Sequence, residues 1–140
     1  MLHRNKKAND ENAGKWIGIG GGIEEGESPE EGMLREIYEE CGLTPTEMRL
    51  HGVVTFVSDE FGTEYLFLYT ATADADISVT PECDEGELRW VETEKVPLLP
   101  TWEGDAVFMK LIAEDAPFFS LKLVYEGDRL VSKVLNGKEM

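Results

Sequence analysis

The 140-residue chain is 41% hydrophobic and 30% charged, which suits one ordinary globular core, and its two cysteines exclude a disulfide framework, though not a single Cys41–Cys83 bridge. Thirteen basic against 29 acidic residues leave a formal charge of −16, which argues against a nucleic-acid polymer or an anionic membrane as partner and favours divalent cations. No apolar run approaches the roughly eighteen residues of a membrane span, and no hydrophobic segment follows the basic start Met1–Lys7, so a cytoplasmic protein without a secretory signal is expected.

In chain order, Arg4 to Gly14 is polar and reads as a loop. Lys15 to Gly22 is an apolar run that dissolves into glycines, and the loop continues through Glu24–Glu27. Ser28-Pro29-Glu30-Glu31 predicts a helix start: a serine cap, a proline where no amide partner is needed, and a glutamate three residues on to close a capping box. That helix should run to Cys41, with Gly42 as its left-handed stop. Leu34, Ile37, Tyr38 and Cys41 recur at helical spacing and are expected to face the core, with Glu36, Glu39 and Glu40 on the opposite side. Gly52–Val57 and Glu64–Ala73 read as strands around the Ser58–Thr63 turn, and Glu87–Glu92 as another strand. Thr101–Glu114 predicts a second helix with Val107, Phe108, Leu111 and Ile112 as its apolar face. Phe118–Tyr125 and Leu130–Leu135 predict a closing hairpin about Glu126-Gly127-Asp128. Interleaved strands and helices imply an α/β or α+β class with a mixed sheet, in one domain over residues 1–140. Trp16 and Trp90 are read as core, and His3 and His51 match no catalytic or metal spacing.

The chemistry concentrates between residues 21 and 43, GGIEEGESPEEGMLREIYEECGL. Hard divalent cations take oxygen ligands, carboxylates and carbonyls above all. Glu36 and Glu40 one turn apart, with Glu39 beside them, offer three carboxylates on one helix, and the glycines allow a backbone carbonyl to approach the same ions. A merely solvated acidic face is the competing reading; against it, clustered carboxylates repel, and solubility alone would favour lysines one turn away.

The segment resembles the signature of the Nudix hydrolases at every fixed position: Gly21, Glu27, Arg35, Glu36, Ile37, Glu39, Glu40, Gly42 and Leu43. A chance match anywhere in so acidic a chain is on the order of one in a million. The resemblance implies the Nudix fold, an α/β/α sandwich with a mixed sheet, and hydrolysis assisted by Mg²⁺ or Mn²⁺. It implies that Glu36, Glu39, Glu40 and the Gly20 carbonyl hold the ions, that Gly20 and Gly21 lie against the substrate, and that Arg35 braces the cluster through Glu27 or Glu39.

Gly14-Lys15-Trp16-Ile17-Gly18, Pro100-Thr101-Trp102-Glu103-Gly104-Asp105 and Pro117-Phe118-Phe119-Ser120 are similar to segments of the MutT-type 8-oxo-dGTP diphosphatases, the bacterial MutX form in particular. That likeness implies conversion of an oxidised purine nucleoside triphosphate to the monophosphate and pyrophosphate, a sanitation of the nucleotide pool. It also implies Glu85 as a carboxylate that joins the ions or activates water, and Trp102 and Asp105 as residues that stack on the base and bond its edge. The competing readings are a turn acid for Glu85, a core residue for Trp102 and a first-turn helix carboxylate for Asp105. Arg4, Lys6 and Lys7 are read as phosphate contacts or as a solvated basic end. Glu36, Glu40 and Glu85 are the candidate proton acceptors. Alternatives within the same fold are a pyrophosphatase for another nucleoside diphosphate derivative such as ADP-ribose, and a non-catalytic nucleotide sensor.

Two positions depart from the family pattern. Gly22 stands where relatives carry lysine, removing a cation near the phosphates. The family's first strand ends at a Leu-His-Arg segment, here Leu2-His3-Arg4, so most of that strand is expected to be absent, leaving a monomer or a homodimer that fills the gap.

Overall fold

Strict alternation in the C-terminal part of the chain builds the main sheet. The computed structural model describes residues 1–3, 14–76 and 86–140, and for Leu2 and His3 the backbone alone. The expected loop over 4–13, and Arg4, Lys6, Lys7, Cys83 and Glu85, lie outside the described residues. The elements are β1 (Leu2–His3), β2 (Trp16–Ile17), α1 (Pro29–Cys41), β3 (Glu47–Ser58), β4 (Gly62–Thr72), β5 (Glu87–Leu88), α2 (Asp105–Ala113), β6 (Phe119–Glu126), β7 (Arg129–Leu135) and β8 (Lys138–Glu139). A 3₁₀ turn over Thr93–Leu98 precedes α2.

The described residues fall into two compact units, Met1–Met48 with Ala71–Thr101, and Arg49–Thr70 with Trp102–Met140. In the second unit β6 is the central strand: Phe119, Leu121, Leu123 and Tyr125 point inward and are buried, while Ser120 and Lys122 point out. It runs parallel to β3, with Val54 opposite Leu121 and Phe56 opposite Leu123, and antiparallel to β7. The order β4-β3-β6-β7-β8 makes this a mixed five-stranded sheet, as expected for the α+β class. Val107, Phe108 and Leu111 of α2 pack on the same core as Val54, Phe56, Trp102 and the β6 residues. Each fully buried side chain of this size contributes about 2 kcal/mol.

His51 is buried on β3 with its Nε2 2.7 Å from Thr70 Oγ1, a structural contact in keeping with its lack of catalytic spacing. The helix expected from Thr101 begins only at Asp105, because Trp102 to Gly104 form a turn in which the Asp105 amide donates to the Trp102 carbonyl. The last hairpin, β7–β8, turns through Asn136 and Gly137 at φ 50° and 82°. The two-residue β8 is too short to carry an alternation of its own and lies beyond the expected hairpin.

The first unit holds a three-stranded sheet in the order β2-β1-β5. Leu2 and His3 pair with Ile17 and Trp16 on one side and with Leu88 and Glu87 on the other, so the short β1 fills the position between its neighbours. The strand expected over Glu87–Glu92 stops at Leu88. Beyond it Met1 and Arg89 exchange backbone hydrogen bonds, and Trp90, expected in the core, lies past the strand and is exposed. Trp16 is buried as expected, with the Arg89 guanidinium 5.1 Å from its ring centre. Among the described residues no helix is long and apolar enough to cross a membrane.

Candidate active site

Local chemistry fixes both ends of α1. Ser28 Oγ accepts the Glu31 amide at 3.1 Å, Glu31 Oε1 accepts the Ser28 amide at 3.1 Å, and Pro29 opens the first turn. Gly42, at φ 70°, ends the helix and donates its amide to the Tyr38 carbonyl at 2.8 Å. These are the boundaries expected from the sequence.

The face that α1 turns inward is the expected one only in part: Cys41 packs against the buried Leu88 beside Ile17 and Ile19, and Ile37 is half-buried. Tyr38 is 65% exposed and Leu34 is exposed too, whereas the buried positions of the helix are Gly32 and Glu40, the latter 7% exposed. The reason is polar. The loop from Ile23 to Glu27 lies against Gly32, where an added Cβ would already meet Glu27 Oε1 at 3.4 Å and Ile23 Cγ1 at 3.6 Å. Arg35 fastens that loop to the helix, so the side carrying Gly32 is covered by the loop.

Arg35 is the hub of the cluster. Its Nε donates to Glu27 Oε2 at 2.8 Å and Nη2 donates to Glu27 Oε1 at 3.0 Å, a two-pronged pair. Nη2 also reaches the Gly22 carbonyl at 2.9 Å, while Nη1 reaches Glu36 Oε1 at 2.7 Å and Glu39 Oε2 at 3.2 Å. These five bonds match the guanidinium's five donors. Glu27 is held below the usual carboxylate range, first by its hydrogen bond from Arg35 and then by the Glu24 amide, which donates to Glu27 Oε1 at 2.8 Å. The bonds from Glu27 and Glu36 in turn raise the Arg35 pKa far above its ordinary value, so the guanidinium stays charged. Both partners foreseen for Arg35 are present, and Glu36 and the Gly22 carbonyl join them.

The glycine loop also approaches the helix carboxylates. A Cβ on Gly21 would stand 2.5 Å from Glu36 Oε1, so no other residue fits at this point without displacing the carboxylate. Gly20 has open space around it. Among the described residues no three acidic, histidine or cysteine side chains converge as a ready metal cage: Glu36 leans to Arg35 and Glu39 is 56% exposed. The donor set still fits a hard divalent cation, because Glu36 and Glu40 are carboxylates one turn apart on one capped helix and the glycine loop passes close to Glu36 at Gly21.

In the second unit, the structure places Trp102 in the core at 4% exposure, edge-on to Phe56 and Tyr125 with ring centres 5.1 and 4.9 Å away, rather than on an open face. Asp105 opens α2, half-buried, and burial pushes its carboxyl up to about 7, against a smaller opposing effect of a backbone hydrogen bond from Trp102. The sequence reading singled out Asp105 but not Tyr125, whose hydroxyl accepts the Gly104 amide at 2.7 Å. No local motif announces that contact, since its two residues are 21 apart in the chain.

A glycine loop fastened by arginine to a doubly capped, glutamate-bearing helix is the arrangement of a Nudix hydrolase. The Nudix-domain family model matches residues 1–112, and the chain belongs to the Nudix family, whose members act on small nucleotides and generally use divalent cations. More particularly, the chain is 30% identical over 122 residues to the oxidized purine nucleoside triphosphate hydrolase of Mus musculus, covering 86% of this chain and 76% of that one. It is 32% identical over 129 residues to the protein of the same name from Danio rerio, covering 91% of this chain and 81% of the relative. Its structure superposes on the crystal structure of a MutT protein from Bacillus halodurans with a TM-score of 0.81 at 27% identity, covering 98% of this chain and 88% of that one.

Proposed function

We propose that this Nudix hydrolase converts an oxidised purine nucleoside triphosphate, 8-oxo-dGTP above all, to the nucleoside monophosphate and pyrophosphate, cleansing the cytoplasmic nucleotide pool of a mutagenic precursor. The observation that carries the reaction class is the clamp of Arg35 on Glu27, Glu36 and the Gly22 carbonyl, which fixes the glycine loop against the acidic helix. The substrate class rests on the two vertebrate relatives of that name.

In this reading Glu36, Glu39 and Glu40 of α1, the Gly20 carbonyl and Glu85 hold Mg²⁺ or Mn²⁺. Bound there, a divalent cation offsets charge on the reacting phosphoryl group and makes a nearby water more acidic. The α1 carboxylates stay fixed because the helix is capped at both ends and Arg35 braces its outer turn. Glu36, Glu40 or Glu85 takes the proton as water oxygen bonds to phosphorus and the bond from that phosphorus to the bridging oxygen between the monophosphate and the pyrophosphate breaks, the electron pair staying on that oxygen. Arg35, with its donors engaged by protein acceptors, acts as a brace for the loop and the carboxylates. Gly20 and Gly21 give the phosphates a backbone surface, and Arg4 and Lys6 are the cations assigned to them. The protein is a monomer or a homodimer.

Asp105 is the residue assigned to the base edge, with Trp102 supporting the turn from which it projects. A carboxyl that titrates near neutrality can donate a hydrogen bond when protonated and only accept when ionised. Discrimination between oxidised and ordinary guanine is therefore expected to change across pH 6 to 8, about one unit either side of that value, and to lose this dependence in Asp105→Asn. The same shift has a stability consequence. Because the folded carboxyl binds its proton more tightly than the unfolded one, with an ordinary value of 3.8, stability falls as pH rises from 3.8 through about 7. Asp105→Asn is expected to melt higher than the parent above pH 7 and to show no such advantage near pH 4; a difference between the melting curves that does not vary with pH would refute the shifted carboxyl.

The direct test is pyrophosphate release from 8-oxo-dGTP, dGTP and ADP-ribose, with Mg²⁺ or Mn²⁺ and with EDTA. Cation-dependent release that favours 8-oxo-dGTP is expected, abolished by EDTA and restored by excess cation. Preferential cleavage of ADP-ribose, which releases no pyrophosphate and is followed as AMP, would overturn the substrate assignment.

A further inference from the structure

The Trp102–Asp105 turn is held by Tyr125, a residue absent from the signature. Gly104 is the N-cap of α2, and its buried amide, which needs an acceptor, donates to the Tyr125 hydroxyl at 2.7 Å. The fit leaves no slack: a Cβ on Gly104 would stand 2.6 Å from Tyr125 Oη and 2.5 Å from Leu123 Cδ1. The Tyr125 ring also meets Trp102 edge-on at 4.9 Å and Phe56 at 4.9 Å. Strand β6 slips register against β7 between Val124 and Tyr125, an irregularity of the kind that re-aims a side chain within a sheet. Tyr125 thus touches the ring of Trp102 and the amide of Gly104, the residue next to Asp105.

We infer that Tyr125 is a positioning residue for Asp105: its hydroxyl, by taking the Gly104 amide, sets the direction and the desolvation of the Asp105 carboxyl and so tunes recognition of the purine edge. The inference rests on the assignment of Asp105 to the base, and deepens it. Asp105 already acts on Tyr125. Burial pushes the Tyr125 hydroxyl up to about 12, against the lowering effect of its hydrogen bond with the Gly104 amide, with Asp105 and then Glu103 adding to the rise, and burial likewise raises Asp105. The charged groups acting on Tyr125 are therefore Asp105 of α2 and Glu103 of the preceding turn, and the backbone group acting on Asp105 is that of Trp102.

The test is Tyr125→Phe, which keeps the ring contacts and removes only the hydroxyl. KM for 8-oxo-dGTP is expected to rise about tenfold, the cost of an unpaired buried amide, with a much smaller change in kcat. The Asp105 carboxyl, followed by carbon NMR, should titrate at a value displaced by about half a pH unit or more. A lower melting temperature with Asp105 titration and KM unmoved would make Tyr125 purely structural and overturn the inference. If the titration moves in Tyr125→Phe but neither that variant nor Asp105→Asn alters discrimination among purines, positioning stands and the assignment of Asp105 to the base falls. Should the variant not fold, the parent protein gives the answer: the Gly104 amide and the Tyr125 ring are expected to report the Asp105 midpoint in their own NMR shifts, and indifference of both to that titration would overturn the inference.

Discussion

Glu40→Gln is expected to lower pyrophosphate release at saturating Mg²⁺ by about 10²- to 10³-fold, the scale of several kcal/mol of lost charge stabilisation, while the fold survives. Glutamine has the shape of glutamate, so the buried site stays filled, and the substitution leaves the capping groups themselves, Ser28 with Glu31 and the Gly42 amide with the Tyr38 carbonyl, untouched. What disappears is a negative charge one turn from Glu36, at a buried position of the helix. The circular dichroism spectrum and melting temperature should remain close to the parent's. Near-parental turnover in this variant would remove Glu40 from the chemistry and with it the cation site on α1.

The second large effect concerns Arg35. Arg35→Lys keeps the charge, but an ammonium has three donors, set in no planar fork, against five bonds now made to four acceptor residues. The two-pronged grip on Glu27 cannot be reproduced, and the loop loses the anchor that runs from the helix to the Gly22 carbonyl. Turnover is expected to fall about 100-fold, as for a lost two-pronged charged contact that positions catalytic groups, and cleavage by a protease within residues 22–27 should accelerate. The paired readout separates the brace from a charge effect. If Arg35→Lys turns over normally, positive charge alone suffices and the geometric role assigned to the guanidinium is wrong.

How much of this could be read beforehand depended on the range of the forces involved. The ends of α1 were legible because their causes are local: Ser28, Pro29, Glu31 and Gly42 act within a turn of themselves. The alternation of β6 was legible for the same reason. The burial of α1 was legible only in part. Hydrophobic periodicity places Cys41 against the Leu88 cluster correctly but also points Leu34 and Tyr38 inward, while Gly32 is covered by the loop that Arg35 binds, through contacts eight and thirteen residues apart that no apolar period records. Trp102 combined a familiar motif position with a core environment, and only the packing of Phe56 and Tyr125 around it decides which one its ring occupies. The shortening of β5 was equally hidden, since it depends on where the partner ladder ends. The β7–β8 turn, by contrast, carried a readable signal in Asn136-Gly137, a pair suited to positive φ on both residues.

The double capping of α1 makes chain length itself a constraint on this region. Loops usually absorb insertions cheaply, because closing a slightly longer loop costs little. Here one added residue inside the helix between Glu36 and Glu40 would turn the second carboxylate about 100° around the axis, and the caps would leave no end free to slide and compensate. One residue added between Gly22 and Glu27 would shift one of the two anchor points that Arg35 spans, although that stretch is exposed and looks permissive. Substitutions can be tolerated at many of these positions, but insertions and deletions cannot, so the distance along the chain from Gly21 to Gly42 is as much a part of the site as the glutamates it carries.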